Sequence, residues 1–212
     1  MPAKESKKFL RFKMRYLVNK IEQIVLATGN QGKVTEIEKL LKGIKILSLK
    51  DFTEIGNIIE TGKSFEENAL IKAKHVFNIT RLVTISDDSG LVVPALNNSP
   101  GIYSARYAGE NASDEDNIQK LIKEIKKIPS DKRDAYFYCC AAICTNSGCK
   151  TFSGRINGII ITEPVRGNGF GYDPIFYLPK LDKTMSELTK EEKNKISHRG
   201  IAFKKIKEYL FN

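Results

Sequence analysis

One stretch of the 212-residue sequence decides the fold class: Ile24 to Lys33, which reads IVLATGNQGK. Its first four residues are apolar and rich in β-branched side chains, the composition of a buried strand. Thr28 to Gly32 is polar and holds two glycines, which is typical of a turn. Apolar residues then recur at helical spacing from Val34 to Leu41. A strand, a glycine turn and a helix form the opening unit of an α/β protein.

Downstream patterns extend this unit into an α/β fold with a mixed sheet. Two long consecutive strands are predicted at residues 133–145 and 151–162, joined by a turn at 146–148, and consecutive strands of this kind pair antiparallel. Shorter strands are predicted at 44–49 and 82–86. Capping boxes at Ser64 and Thr189, and a capping residue at Ser113 or Asp114, predict helix starts. The run from Ile201 to Leu210 predicts a closing helix.

The net charge of +10 is concentrated at the N-terminus. Residues 1–20 hold seven lysines and arginines against one glutamate, which is +6, so residues 21–212 carry only +4. We therefore predict a basic, flexible N-terminal extension at 1–20 and one domain at 21–212. A transit peptide or a membrane-surface helix is an alternative for the extension, and Met14 is an alternative start. No apolar run approaches the roughly 20 residues that span a bilayer, so we expect a soluble, cytoplasmic protein.

The four cysteines are expected to be reduced. Cys139 and Cys140 are adjacent, so in a strand their side chains point to opposite faces and cannot easily pair. Cys144 and Cys149 complete the set, and the sequence has no CxxC pair. We interpret all four as small hydrophobic side chains.

Thr28 to Lys33 is the first candidate binding element. A glycine turn that leads into a helix presents unpaired backbone N–H groups and the positive end of the helix dipole to an anion. Gly29 and Gly32 let the backbone approach a ligand, and Lys33 adds a full charge. The spacing is not that of a Walker A loop. The loop alone indicates a phosphate cradle, and a plain strand-to-helix turn stays open.

Asp87 and Asp88 follow the predicted strand at 82–86, so we expect them at its carboxyl end, where α/β sheets bind ligands. Adjacent carboxylates repel each other unless a cation offsets their charge. Oxygen ligands suit Mg²⁺. The sequence therefore indicates a magnesium site that Glu60 could complete, with an aspartate-rich turn as the alternative.

Two C-terminal motifs are candidates for contact with a base. Residues 169–174 read GFGYDP, and an aromatic ring held between glycines can offer its face to a purine. A tight turn with core aromatics is the alternative. Lys193 and the segment Ser197-His198-Arg199 follow, with Gly200 ending the pattern. The arginine fork suits a carbonyl oxygen or a phosphate, whereas His198 could equally be structural.

Six motifs in this order resemble the inosine triphosphate pyrophosphatase family, over about residues 22–210. They are TGNQGK from Thr28, SFEENALIKA from Ser64, DDSG from Asp87, PGIYSARYAG from Pro100, GFGYDPIF from Gly169 and SELTKEEKNKISHRG from Ser186. Each is modest alone, but their co-occurrence is specific. The resemblance implies an α/β fold with an elongated mixed β-sheet, helices on both faces, and two lobes around a central substrate cleft.

The resemblance also implies an activity: Mg²⁺-dependent hydrolysis of ITP, dITP and XTP to the monophosphate and pyrophosphate by a homodimer, which keeps these nucleotides out of DNA and RNA. It makes Asp88 the proton acceptor and a metal ligand, with Glu60 as the further metal ligand. A donor such as Arg199 at the purine 6-oxo group would reject ATP. The implied substrate-binding residues are Thr28, Gly29, Asn30, Gln31, Gly32, Lys33, Ser89, Phe170, Gly171, Tyr172, Asp173, Lys193, His198 and Arg199.

Two other functions stay open. A septum-type nucleotide pyrophosphatase of other base specificity would share the phosphate loop but lack the GFGYDP and SHRG motifs. A nucleic-acid-binding protein is suggested by a sequence pI of about 9.3. Because most of the excess charge lies before residue 21, we expect no stable nucleic-acid partner and no membrane partner.

Overall fold

A computed structural model describes residues 21–211 of the chain. The predicted basic extension at 1–20, with the alternative start at Met14, lies outside the described residues. No helix in the described part is long and apolar enough to cross a membrane.

The described residues form eight strands and five α-helices. The strands are β1 (Gln23–Leu26), β2 (Lys45–Ser48), β3 (Thr84–Val93), β4 (Ser99–Pro100), β5 (Asp134–Thr145), β6 (Gly148–Ile160), β7 (Phe176–Leu178) and β8 (Lys183–Thr184). The α-helices are α1 (Gln31–Leu40), α2 (Phe65–Thr80), α3 (Asp114–Ile125), α4 (Lys190–Ile196) and α5 (His198–Phe211). Short 3₁₀ segments connect them.

One mixed sheet runs in the order β2-β1-β3-β5-β6-β7-β8, with β4 paired to the end of β3. β1 is parallel to both β2 and β3, as expected where helices connect the strands. From β3 onward the neighbours are antiparallel, and β5 and β6 form a long hairpin. The predicted α/β class with a mixed sheet is confirmed.

Helices cover both faces of the sheet. On one face α2 packs its alanines against Cys140, Ala142 and Cys144 of β5. On the other face α1 and α5 pack against Cys139, Ala141 and Ile143 of the same strand. Successive side chains of β5 point to opposite faces of the sheet, so of these residues the odd-numbered ones contact α1 and α5 and the even-numbered ones contact α2.

The hydrophobic core of the described residues has two large clusters and two small ones. β5 contributes to both large clusters: Ala135 and Phe137 pack with α3 and β7 in one cluster, and Cys139 packs with β1, α1 and α5 in the other. A cleft is lined by residues from the elements that form both large clusters.

The predicted position of Asp87 and Asp88 at a strand end is wrong. β3 continues to Val93, because β5 pairs with it from Thr84↔Cys144 to Val92↔Tyr136 and keeps its backbone hydrogen-bonded. The parallel neighbour β1 does end early, at the pair Leu26↔Ile85. The two aspartates therefore lie in mid-strand but just beyond the end of β1, beside the loop that follows it.

The expectation of four reduced cysteines is wrong for one pair. Cys144 and Cys149 form a disulfide across the β5–β6 hairpin, with their Cα atoms 4.1 Å apart. The two-residue turn at 146–147 brings them directly opposite each other. Cys139 and Cys140 are free and buried on opposite faces, as predicted.

Candidate active site

The loop after β1 is held in shape by its own side chains. Asn30 caps α1 by accepting a hydrogen bond from the backbone N–H of Lys33 (3.0 Å), and Thr28 Oγ1 accepts from the N–H of Asn30 (3.2 Å). A Cβ at Gly32 would lie 2.9 Å from the ring of Phe170, so the glycine admits this ring against α1. A Cβ at Gly29 would meet nothing within 4 Å. The loop therefore contacts the GFGYDP motif through Gly32.

Asp87 and Asp88 face opposite sides of the sheet, because they are neighbours in a strand. Asp87 is fully buried on the α1–α5 side, where its Oδ2 lies 3.1 Å from Lys33 Nζ and 3.3 Å from Arg199 Nη2. Burial alone would raise the pKa of Asp87, but Lys33 and Arg199 together hold that pKa well below its ordinary value. The cations of Lys33 and Arg199 therefore offset the charge of Asp87.

Asp88 lies on the α2 side, among groups that the sequence analysis did not select. Asn68 Nδ2 donates to Asp88 Oδ2 (3.2 Å), and Lys72 Nζ lies 3.5 Å from Asp88 Oδ1 and 3.0 Å from Glu60 Oε1. Burial raises the pKa of Asp88, although Lys72 and Lys33 oppose the shift. A carboxylate with a raised pKa is the better proton acceptor near neutral pH.

A signal for Asn68 and Lys72 was present in the sequence. They stand four residues apart on the buried face of α2, among Ala69, Ala73 and Val76. Polar groups on such a face need partners, so their spacing points to a site beneath the helix. The capping box of this helix is only half as predicted: Ser64 accepts from the N–H of Glu67, whose carboxylate accepts from the N–H of Lys63.

A chain of alternating charges links the loop to the C-terminal motifs. Beyond Asp87, Arg199 donates through Nη1 to Glu36, and Lys193 Nζ lies 2.8 Å from Glu36 and 2.6 Å from Asp173. Glu36 is a further residue that the sequence analysis missed, because a glutamate in a helix with a polar face resembles a solvated charge. Six ionic groups thereby hold α1, β3 and the C-terminal segments together.

Arg199 is more fully engaged than the sequence suggested. Nη2 also donates to Ser89 Oγ (2.8 Å) and Nε donates to Asp87, so each of its three nitrogens has a protein acceptor. It lies in the first turn of α5, because Ser197 Oγ accepts from the N–H of Gly200 (3.0 Å) and begins the helix there. Gly200 therefore belongs to the helix rather than ending the motif.

His198 is buried in the same helical turn. Its ring stacks on Phe137 with 4.8 Å between centroids and 14° between planes. Among the described residues its Nδ1 has no hydrogen-bond partner. Burial and the neighbouring Arg199 hold its pKa well below the ordinary value, so the imidazole is neutral.

Most of these groups line one cleft. Of the predicted substrate-binding residues, ten line it: Asn30, Lys33, Ser89, Phe170, Gly171, Tyr172, Asp173, Lys193, His198 and Arg199. Gly32 borders an adjoining cavity behind the Phe170 ring. Thr28, Gly29 and Gln31 are not among the lining residues; Asp88 lies on the α2 side, and Glu60 borders a separate groove.

The two aromatic residues of GFGYDP differ in position. Tyr172 is buried, and its hydroxyl donates to the carbonyl oxygen of Ser104 (2.9 Å), so it forms part of the wall. Phe170 presents its ring at the cleft, with Lys193 Nζ 4.8 Å from the ring centroid. Of the two rings, that of Phe170 is therefore the more exposed at the cleft.

Residues 24–209 match a model of the Ham1 family. The chain belongs to this family. It is 49% identical over 191 residues to the dITP/XTP pyrophosphatase of Geobacter sulfurreducens, covering 89% of this chain and 96% of the relative. It is 46% identical over 195 residues to the dITP/XTP pyrophosphatase of Bacillus cereus, covering 90% and 95%.

Solved Ham1 structures share the fold. The Staphylococcus aureus Ham1 protein superposes with a TM-score of 0.81 at 43% identity, covering 89% of this chain and 97% of that one. A HAM1 protein from Coxiella burnetii superposes with a TM-score of 0.81 at 42% identity, covering 89% and 98%. The resemblance inferred from the six motifs is confirmed by this family membership.

Proposed function

We propose that this Ham1-family chain hydrolyses deaminated purine nucleoside triphosphates, ITP, dITP and XTP, to the monophosphate and pyrophosphate, and so removes them from the nucleotide pool. One observation carries the proposal: Asn30 and Lys33 of the loop line one cleft with the Phe170 ring, and the charge of Lys33 also acts on Asp88, a carboxylate with a raised pKa on the adjoining α2 side. The names of the relatives, dITP/XTP pyrophosphatases, support the substrate class and leave a septum-type enzyme or a nucleic-acid-binding protein without support.

Mg²⁺ is part of the proposal, and the residues on the α2 side fit it. Glu60 and Asp88 already share one cation, the Lys72 ammonium. No group of three or more possible ligands lies together in residues 21–211, and an incomplete oxygen set suits Mg²⁺, which takes its other ligands from water and substrate phosphates. When bound at these carboxylates, Mg²⁺ would neutralise phosphate charge and polarise the α-phosphorus.

The side chains of the protein supply the remaining chemistry. Asp88 accepts a proton from the water that attacks the α-phosphorus, and the bond from that phosphorus to the bridging oxygen breaks. Lys33 and the first-turn amides of α1 stabilise the charge that develops on the leaving pyrophosphate. Phe170 stacks on the base, with Lys193 beside its ring. A cytoplasmic location is also part of the proposal, and so is a homodimer, which rests on the family resemblance alone.

Product analysis tests the proposal. The chain is incubated with ITP, dITP, XTP, GTP and ATP plus Mg²⁺, and pyrophosphate is separated from orthophosphate. We expect ITP, dITP and XTP to yield pyrophosphate and the monophosphate, with much slower reaction of GTP and ATP. Orthophosphate as the first product, or equal rates with ATP, would reject the assignment.

His198 is proposed to read the base, because Arg199 is already engaged and His198 has the buried ring nitrogen without a partner. His198→Phe keeps a ring stacked on Phe137 but removes both nitrogens. We expect kcat/KM for ITP to fall about tenfold, the cost of one lost hydrogen bond, and the value for ATP to change little. His75→Phe, at the exposed histidine of α2, is the matched control. An unchanged ratio of ITP to ATP turnover would remove His198 from base recognition.

A further inference from the structure

Lys72 occupies an unusual position for a lysine. Lys72 is only 8% exposed, and its ammonium lies 3.0 Å from Glu60 Oε1 and 3.5 Å from Asp88 Oδ1. These are the two carboxylates to which the proposed function assigns Mg²⁺. The ammonium therefore lies where a metal ion shared by these two side chains would have to bind.

Hydrogen bonds of two neighbouring side chains, Asn68 and Ser86, hold the segments that carry Glu60, Lys72 and Asp88 together. Asn68 joins the loop of Glu60 to β3, because its Oδ1 accepts from the N–H of Gly62 (2.8 Å) and its Nδ2 donates to Asp88. Ser86 Oγ donates to the carbonyl oxygen of Ala69, which fixes α2 against β3 (2.5 Å). The ion pairs of Lys72 are thus built into the fold rather than formed by a mobile surface chain.

The positive charge of Lys72 determines which ligands can bind between Glu60 and Asp88. A bare divalent cation would have to approach a fixed ammonium and then leave Lys72 buried without its carboxylates, which is costly. A metal–triphosphate complex is different, because its phosphate oxygens offer the ammonium new acceptors. Lys33, the other lysine near Asp88, is already paired with Asp87.

We propose that Lys72 is a built-in cation that closes the two-carboxylate site in the resting enzyme, so that the metal enters with the nucleotide and not before it. The inference rests on the proposed function for the identity of the metal and the nucleotide. Lys72 is then a positioning residue. Its ammonium holds Glu60 and Asp88 at a fixed spacing, and it exchanges these carboxylates for a phosphate oxygen when the metal–nucleotide complex binds.

Metal binding without nucleotide tests this directly. Mn²⁺ is used as the probe, and free Mn²⁺ is measured by electron paramagnetic resonance in titrations of the full chain. Lys72→Met keeps the length of the side chain and removes its charge. We expect Lys72→Met to bind Mn²⁺ at least tenfold more tightly than wild type, whereas its turnover of ITP falls. Adding Glu60→Gln to Lys72→Met should abolish the gain and thereby locate the ion.

Lys74→Met is the matched control, because Lys74 is exposed on the same helix; it should bind Mn²⁺ as wild type does. Lys72→Gln is measured alongside in case Lys72→Met does not fold. Equal or weaker Mn²⁺ binding by the folded Lys72 variant, or tight binding by wild type without nucleotide, would overturn the proposal. These results do not depend on turnover, so failure of wild type to release pyrophosphate from ITP would reject the proposed function separately.

Discussion

Replacement of Asp88 by Asn is expected to lower kcat for pyrophosphate release from ITP by roughly 10²–10⁴-fold, the usual contribution of a general base. The amide cannot accept the proton of the attacking water. The fold should persist, because the asparagine oxygen can still accept the hydrogen bond from Asn68 that Asp88 accepts in the wild type. Steady-state kinetics with ITP and thermal unfolding, measured on the same preparations, check both expectations.

Asp134→Asn is the control for this change, because Asp134 is an exposed aspartate at the start of β5. It should retain wild-type kcat and the wild-type melting temperature. If Asp88→Asn kept near-normal turnover, the role of Asp88 as proton acceptor would be wrong. A fall in kcat accompanied by loss of the folded state would show that Asp88 acts through stability instead.

Replacement of the neighbouring residue, Asp87→Asn, should have its main effect on stability. Asp87 is buried between Lys33 and Arg199, and an amide would leave these two cations without their shared counter-charge. Removing one member of a buried ion-pair network costs about 3–5 kcal/mol of the free energy of unfolding. For a chain of this size the melting temperature should fall by roughly 10 °C. Urea unfolding at pH 7 measures the difference.

The pH dependence gives this prediction a second readout. The folded-state pKa of Asp87 is depressed, so its contribution to stability is complete above the unfolded value of about 3.9 and is lost as the pH falls through the folded-state pKa. The stability difference between wild type and Asp87→Asn should therefore stay constant from pH 7 to about pH 5. It should narrow below about pH 4. A small difference at pH 7, or one that widens in acid, would contradict the structural role of Asp87.

The two adjacent aspartates show where inference from sequence reached its limit. The sequence indicated that both carboxylates needed a cation and suggested one metal for the pair. The cation requirement holds, but each aspartate has its own protein partners, because neighbours in a strand point to opposite faces. The apolar pattern of the sequence predicted that this strand ends at Ser86, because charged residues are rare in the interior of a strand. Only the pairing with β5 extends it through Asp87 and Asp88.

Glu36 and Lys72 were missed for a related reason. Glu36 looks like an ordinary charge on a helix until another part of the chain packs against it, whereas the place of Lys72 on the apolar face of α2 indicates burial but not which groups it meets. Glu36 meets Arg199, which lies 163 residues later, only after α5 packs against α1. Lys72 meets Glu60 and Asp88 only after α2 covers β3. The identity of a charge partner is a long-range property, and residue spacing along one helix does not contain it.

The sequence by itself determined the strand, turn and helix at residues 23–40, the long hairpin and the six family motifs. These depend on local periodicity, backbone preferences and residue identity, which act over a few residues. The tertiary structure alone decided which carboxylate faces which lysine, that Phe170 rather than Tyr172 presents its ring at the cleft, and that Arg199 is bound by Glu36, Asp87 and Ser89. These depend on which helix covers each face of the sheet, because burial and charge pairing are settled only when distant segments meet.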